Sequence, residues 1–195
     1  MAHPVPETGC LPPALEIVRI TQMGGSLDTH LTPPFQSAMK YLYRRLFGDL
    51  ASPRRPLIAD PFARNCDIAG KHTNDLDPET NAAHHLDAID FLCSLPSGEF
   101  DAVIFDPPFS SRQANRYSVG DLNIYTKPGY IKECMGEINR ILKPGGYLLK
   151  FGYNTSRCHQ FDMVKIWIVN SGGNHNDTLI SLQRKGNFTL DLWTV

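Results

Sequence analysis

The sequence has no long apolar run, no paired cysteines and no strong excess of charge of either sign. No apolar stretch approaches the roughly 20 residues that a helix needs to cross a bilayer, so a membrane protein is not expected. The five cysteines are widely spaced and never form a CxxC pair. This spacing argues against a disulfide framework or a metal site and fits free thiols. The formal net charge of −1 excludes a generally basic nucleic-acid coat but leaves room for a local basic patch.

The length of 195 residues is typical of one domain with its own core. The first residues contain several prolines and lack the basic-then-apolar pattern of a signal peptide. We therefore expect residues 1–30 to be a flexible or loosely packed segment and residues 31–195 to be a single domain. Free thiols and the lack of a targeting pattern together predict a cytoplasmic protein.

Short apolar runs alternate with amphipathic segments along the rest of the chain. Helices are predicted at 33–47, near 88–92 and within 129–146, where Gly145-Gly146 ends the last one. Strands are predicted within 55–65, at 71–78, near 84–86, and at 99–106, 147–153, 162–170 and 177–185. This alternation predicts a mostly parallel α/β sheet that ends in an antiparallel hairpin. Ligands of such sheets bind at the carboxyl ends of the strands.

The clearest predicted strand stops at the tetrapeptide DPPF, residues 106–109. Two consecutive prolines can continue neither a strand nor a helix, so the chain becomes rigid there. A similar tetrapeptide, TPPF at 32–35, stands at a predicted helix start, so this pattern alone carries little weight. Its position carries more, because Asp60 and Asp75 also follow predicted strands. We expect the three acids to meet at one edge of the sheet.

Several motifs follow one another in a fixed order between roughly residues 35 and 185. They are ADPFARNC (59–66), NDLDP (74–78), HLDAIDFL (85–92), DPPF (106–109), ILKPGGYLLKF (141–151) and HNDTLISLQRK (175–185). In this order they resemble the S-adenosylmethionine-dependent amino-methyltransferases, especially the DNA adenine-N6 and cytosine-N4 enzymes. The resemblance implies a Rossmann-like class I methyltransferase fold with a mostly parallel seven-stranded sheet and a C-terminal antiparallel hairpin. It also implies S-adenosylmethionine as the cofactor, and no metal.

The resemblance gives each residue of the DPPF motif a catalytic role. The Asp106 carboxylate and the Pro107 carbonyl would accept the two N–H bonds of an exocyclic amine, which turns the nitrogen lone pair toward the methyl donor. Pro107 and Pro108 would keep both acceptors fixed. Phe109 would stack on the target base.

The resemblance also places the cofactor on the loops that follow the first strands. The predicted cofactor-binding residues are Asp60, Phe62, Asp75, Leu76, Asp87 and Ala88. Asp60 would hold the amino-acid part, Asp75 the ribose hydroxyls and Asp87 the adenine amine. The sequence departs from the family at residues 64–66, where Arg-Asn-Cys stands in place of glycines that allow close backbone approach.

The stretch 110–132 carries more positive than negative charge beside the DPPF motif. Arg112, Arg116 and Lys127 are predicted to contact nucleic-acid phosphates, the alternative being a solvated loop. The fold leaves too few residues for a separate target-recognition domain, so we expect low sequence specificity, recognition by this loop, or a protein partner that supplies recognition. The predicted function is methyl transfer to a base amine in DNA, with adenine N6 favoured. An RNA base amino-methyltransferase and an inactive methyltransferase-like nucleic-acid-binding subunit remain alternatives.

Overall fold

In the part of the chain that the structure describes, six strands form the central sheet. The computed structural model describes residues 14–18, 29–47, 55–108, 127–155, 160–170 and 177–186. The strands are β1 (Ala14–Val18), β2 (Ile58–Ala59), β3 (Phe100–Phe105), β4 (Leu142–Gly152), β5 (Phe161–Val169) and β6 (Thr178–Lys185). They lie in the order β1-β5-β6-β4-β3-β2.

The sheet is mixed. Strands β2, β3 and β4 are parallel neighbours, β6 runs antiparallel to both β4 and β5, and β1 is parallel to β5. The predicted C-terminal hairpin is therefore confirmed, and five of the six described strands run in one direction, with only β6 opposed, as predicted for a mostly parallel sheet. The predicted number of seven strands is wrong, because the described residues form six. Residues 71–78 and 84–86 contribute only the isolated parallel bridges Asp60↔Thr73 and Asn74↔His84. Closely spaced Gly, Asn, Asp and Pro residues favour turns there over a continuous ladder.

Three α-helices of the described residues cover the two faces of the sheet. They are α1 (Pro33–Phe47), α2 (Ala88–Ser94) and α3 (Tyr130–Ile141), as the hydrophobic spacing predicts. Helix α1 contributes to one buried cluster with the alternate residues Ile104 and Leu149 of the sheet. Helices α2 and α3 contribute to a second cluster with Val103 and Leu148, which face the opposite side. Among the described residues, no helix combines the length and apolarity required for a membrane span.

Strand β1 was not anticipated from the sequence. Its five residues pair with β5 from Ala14↔Lys165 to Val18↔Val169. The segment 1–30, predicted to be flexible or loosely packed, therefore contributes a strand to the outer edge of the sheet. Most other residues of that segment lie outside the described ranges.

Asp101 fixes the three parallel strands side by side. Its Oδ2 accepts a hydrogen bond from the backbone N–H of Leu57 at 2.8 Å, and its Oδ1 accepts one from the Lys143 ammonium at 2.6 Å. Lys143 lies at the beginning of β4, directly after α3, and Gly145 two residues further on has a φ of 77°. The carboxyl ends of β2, β3 and β4 consequently meet at one edge.

Candidate active site

The three acids predicted to mark a site lie at this carboxyl edge. Asp60 is 3% exposed and Asp75 is 8% exposed, while Asp106 is partly buried directly after β3. The negative charges of Asp106 and Asp75 both raise the pKa of Asp60, so the three carboxyl groups lie within range of electrostatic interaction. A cluster of like charges withdrawn from water favours a positively charged ligand.

Asp106 is followed by a rigid stretch of backbone, in which Pro107 is buried and Pro108 is partly buried. Burial raises the pKa of Asp106 to about 6, although the Thr29 side chain acts to lower it. Asp106 is therefore mostly ionised at neutral pH and can accept hydrogen bonds. The predicted stacking residue Phe109 lies outside the described residues, as do Arg112 and Arg116.

Asp60 is the most deeply buried of the three acids. Burial raises its pKa well above the ordinary value, and the negative charges of Asp106 and Asp75 raise it further. The backbone N–H of Phe62 donates a hydrogen bond to Asp60 Oδ1 at 3.1 Å, and this bond lowers the pKa of Asp60. Because the ionised form is disfavoured here, a cationic group placed beside Asp60 would interact with it strongly.

The loop after β2 is joined to the acidic turn that follows Asn74. Asp75 accepts hydrogen bonds from the backbone N–H of Arg64 at 3.1 Å and of Asp77 at 3.0 Å. Burial raises the pKa of Asp75, while these hydrogen bonds and the charge of Arg64 lower it. Arg64 has a φ of 47°, the left-handed region that glycine normally occupies. The loop thus takes a glycine-like conformation at the first position where the family carries glycine.

Asn74 connects three segments of the site and was missed in the sequence analysis. Its buried amide nitrogen donates to the carbonyl of Pro61 at 3.2 Å and to that of Leu86 at 3.0 Å. Its Oδ1 accepts the Leu86 backbone N–H at 2.9 Å. The only sequence signal was its place before Asp75, because nothing in the pattern identifies the backbone groups it would reach.

Asp87, predicted to bind the adenine amine, accepts hydrogen bonds from three groups of the protein itself. It caps α2 by accepting the Ile89 backbone N–H at 2.9 Å, and it also accepts the Tyr130 hydroxyl at 2.9 Å and the Lys127 ammonium at 3.0 Å. Burial raises the pKa of Asp87, but these hydrogen bonds outweigh it and the pKa lies below the ordinary value. Lys127, predicted to contact phosphate, is thus paired with an acid at the start of α2.

The apolar residues predicted to line the cofactor site differ in their surroundings. Phe62 packs edge-on against Phe105, with ring centroids 5.6 Å apart. Leu76 is partly buried, whereas Ala88 belongs to the core cluster behind the site. The side chain of Leu86, two residues before Ala88, is large, apolar and 42% exposed. Phe62 and Leu86 are thus the apolar surfaces that a planar ligand could contact.

The described part of the chain holds no group of three His, Cys, Asp or Glu side chains arranged to bind a metal ion. Cys66, at the second position where the family carries glycine, is buried, and burial raises the pKa of its thiol to about 12. Its side chain is therefore a neutral packing group at neutral pH.

Comparisons with known proteins identify the fold. No protein-family model matches the sequence, and no curated protein matches it. A candidate class I S-adenosylmethionine-dependent methyltransferase from Listeria monocytogenes superposes with a TM-score of 0.53 at 15% identity, covering 87% of this chain and 64% of that one. HI0767, a candidate methylase from Haemophilus influenzae, gives a TM-score of 0.50 at 13% identity, and the match covers 77% of this chain and 98% of that one.

The N-methyltransferase NodS from Bradyrhizobium japonicum also gives a TM-score of 0.50, at 11% identity, and covers 80% of this chain and 99% of that one. At such low identity the likeness shows a shared fold, that of methyltransferases, and leaves the reaction to be argued from the site.

Proposed function

We propose that this protein is an S-adenosylmethionine-dependent methyltransferase that acts on the exocyclic amine of a nucleic-acid base, with adenine N6 in DNA as the favoured target. The observation that carries the proposal is Asp106, a mostly ionised carboxyl group at the end of β3, followed by two prolines. Its place at the carboxyl edge of a methyltransferase-type sheet supports the same conclusion.

The residues at this edge fit the proposed cofactor. Asp60 and Asp75 are buried acids with raised pKa values, and such groups suit a ligand that carries positive charge. The left-handed backbone at Arg64 gives the loop the conformation that glycine gives in the family. Asp75 would hold the ribose hydroxyls and Asp60 the charged amino-acid part, while Phe62 would contact the adenine ring.

Asp106 and the Pro107 carbonyl would prepare the amine for reaction. An exocyclic amine is a poor nucleophile because its lone pair is shared with the ring. Two acceptors at its two N–H bonds favour a pyramidal nitrogen whose lone pair is free to react. When bound, S-adenosylmethionine supplies a methyl group whose bond to the positively charged sulfur breaks as the N–C bond forms, its electron pair passing to sulfur. The methylated nitrogen then loses one proton, which ionised Asp106 can accept.

Nucleic acid is proposed as the substrate from the chemistry of the DPPF motif and from neighbouring charge. Phe109 would stack on the target base, and Arg112, Arg116 and Lys127 would contact phosphates. Lys127 would have to leave Asp87, 3.0 Å away, in order to do so. Target recognition is proposed to come from the stretch that follows the DPPF motif or from a partner protein.

Mass spectrometry of nucleosides tests this proposal. DNA and RNA are incubated separately with S-adenosylmethionine and the wild-type protein, the Asp106→Ala variant or the Asp162→Ala variant, which removes an exposed acid on β5. We expect N6-methyladenine in DNA from the wild type and from Asp162→Ala, and a loss of about 100-fold or more from Asp106→Ala.

Equal methylation by Asp106→Ala would refute the role of that residue. If methylated bases are found in RNA and not in DNA, the substrate is RNA. No methylated base in either polymer, with no cofactor binding by calorimetry at millimolar concentration, would favour the non-enzymatic alternative.

A further inference from the structure

A lysine lies near the carboxyl end of β4, beside the strand that leads to Asp106. Lys150 is paired with Phe105 in the register of β3 and β4, and Asp106 follows Phe105 directly in the chain. Neighbouring strands of a sheet lie about 4.8 Å apart, so Lys150 belongs to the same edge as the candidate catalytic carboxyl group. No role was predicted for Lys150 from the sequence.

The side chain of Lys150 extends along β4 toward its carboxyl end. Residues two apart share a face of a strand, and the next residue on this face, Gly152, has no side chain. A Cβ placed on Gly152 would lie 3.9 Å from Lys150 Nζ. The same Nζ atom donates a hydrogen bond to Oδ1 of Asn154, two residues beyond the end of β4, at 3.2 Å. The ammonium group is thus carried to the edge of the sheet.

Core packing alone does not account for a lysine at this position. Its neighbours on the same face, Leu148 two residues earlier and Phe105 on β3, are buried apolar residues of one core cluster. Lys150 is itself only 7% exposed, and burial lowers the pKa of its ammonium group. A buried ammonium group is stabilised by each acceptor that it contacts, so acceptor atoms of a ligand are favoured here.

The end of β4 and the DPPF motif have complementary hydrogen-bonding groups. The ammonium group of Lys150 has only donors, and the amide nitrogen of Asn154 carries two more, while Asn154 Oδ1 accepts from Lys150. Asp106 and the Pro107 carbonyl, in contrast, are acceptors. A base that fits both must present an amine beside an acceptor atom. Adenine does so, because acceptor ring nitrogens flank its amine.

We propose that Lys150 and Asn154 donate hydrogen bonds to the ring nitrogen that lies next to the exocyclic amine of the target base. The end of β4 would then select the base whose amine the DPPF motif prepares. This inference rests on the proposed function and names a substrate contact of the same site. Guanine fits less well, because the ring nitrogen between its amine and its carbonyl carries an N–H donor.

Binding of two oligonucleotides separates contact with the base from contact with phosphate. One is a thymidine tract with a single central adenine, and the other carries an abasic spacer in place of that adenine. S-adenosylhomocysteine, the product of methyl transfer, is present to fill the cofactor site without turnover. The variants are Lys150→Met, Asn154→Ala at an exposed position, and the control Lys165→Met on β5, whose ammonium group lies 4.2 Å from the centre of the Tyr41 ring.

We expect the wild-type protein to bind the adenine oligonucleotide more tightly than the abasic one. Lys150→Met should weaken binding of the adenine oligonucleotide about tenfold or more, Asn154→Ala should weaken it by a smaller factor, and neither should change binding of the abasic one. Lys165→Met should bind both like the wild type. In methylation assays, KM for the adenine oligonucleotide should rise in Lys150→Met with little change in kcat, because the contact forms before transfer.

Thermal unfolding separates a loss of binding from a loss of fold. Methionine has a similar length and removes a buried charge, so Lys150→Met should unfold at the wild-type temperature or above. Asn154 is exposed, so Asn154→Ala tests the same contact without altering the core.

The outcomes distinguish this inference from the proposed function. Equal losses for the adenine and abasic oligonucleotides would assign Lys150 to a phosphate and overturn the base contact. Wild-type affinity of folded Lys150→Met and of Asn154→Ala, in a protein that methylates DNA, would overturn this inference and leave the proposed function intact. Loss of adenine-dependent binding in both variants of a protein that methylates no base would establish the contact and refute methyl transfer.

Discussion

The backbone N–H of Arg64 donates a hydrogen bond to Asp75 Oδ2 over 3.1 Å, and Arg64 does so from the left-handed region of backbone conformation. The contact joins the loop after β2 to the acidic turn that holds Asp75. An arginine thus accepts a strained backbone conformation at a position where glycine would have none. The benefit of this geometry is that Asp75 is fixed at the edge of the candidate cofactor site.

The strain at Arg64 can be measured with two substitutions. Arg64→Gly and Arg64→Ala both remove the side chain and its weak 4.0 Å ion pair with Asp77, but only glycine relieves the positive φ. We expect the free energy of unfolding to be about 1 kcal/mol higher for Arg64→Gly than for Arg64→Ala. Urea denaturation measures the difference, and equal stabilities would show that the backbone at residue 64 carries no strain.

Methyl transfer should depend on pH through Asp106. The pKa of Asp106 is raised to about 6, and the proposed mechanism requires the ionised form, so activity should be complete above about pH 7 and fall as the pH drops through about 6. The measurement is kcat at saturating cofactor between pH 5 and about 8.5, since saturation limits any effect of Asp60 on cofactor binding.

The Asp106→Asn variant is the control for this pH profile. Its side chain still carries an acceptor oxygen but does not titrate, so any residual activity should lose the acid limb near pH 6. A wild-type profile that stays flat down to pH 5, or an acid limb that persists in Asp106→Asn, would contradict the assignment.

Two glycines offer a test of the turn that aligns β4. A Cβ at Gly146 would lie 3.0 Å from the Lys143 carbonyl and 3.3 Å from the Asp101 carbonyl, both backbone atoms, whereas one at Gly136 within α3 would meet no heavy atom within 4 Å. Gly146→Ala should therefore destabilise the protein by about 1–3 kcal/mol. Gly136→Ala should stabilise it by about 0.5–1 kcal/mol, because alanine favours the helix. Thermal or urea unfolding measures both changes in the free energy of unfolding. If the two variants change it in the same direction, this account is refuted.

Local chemistry explains why part of the structure could be predicted from the sequence. The apolar run before Asp106 ends in two prolines, and the hydrophobic spacing of α1 and α3 is regular, so these elements follow from patterns within short stretches. The glycines after α3 mark the turn into β4 for the same reason. Asp60, Asp75 and Asp106 could be placed at one edge because parallel strands share their direction.

The features that the sequence did not reveal depend on distant partners. Strand β1 is only five residues long and pairs with a strand near the other end of the chain. Lys127 contacts Asp87 through the packing of α3 rather than through any local pattern. The predicted strands at 71–78 and 84–86 shrink to single bridges because hydrogen bonds of Asn74 side-chain atoms replace ladder bonds there.

The pairing of β1 with β5 has a consequence for the order in which the chain is made. Ala14 is synthesised about 150 residues before its partner Lys165. Until β5 is made, β1 lacks the strand with which it pairs in the described part of the chain, so this edge of the sheet closes late. A ribosome stalled before β5 would hold a nascent chain whose first strand is still unpaired and open to other strands.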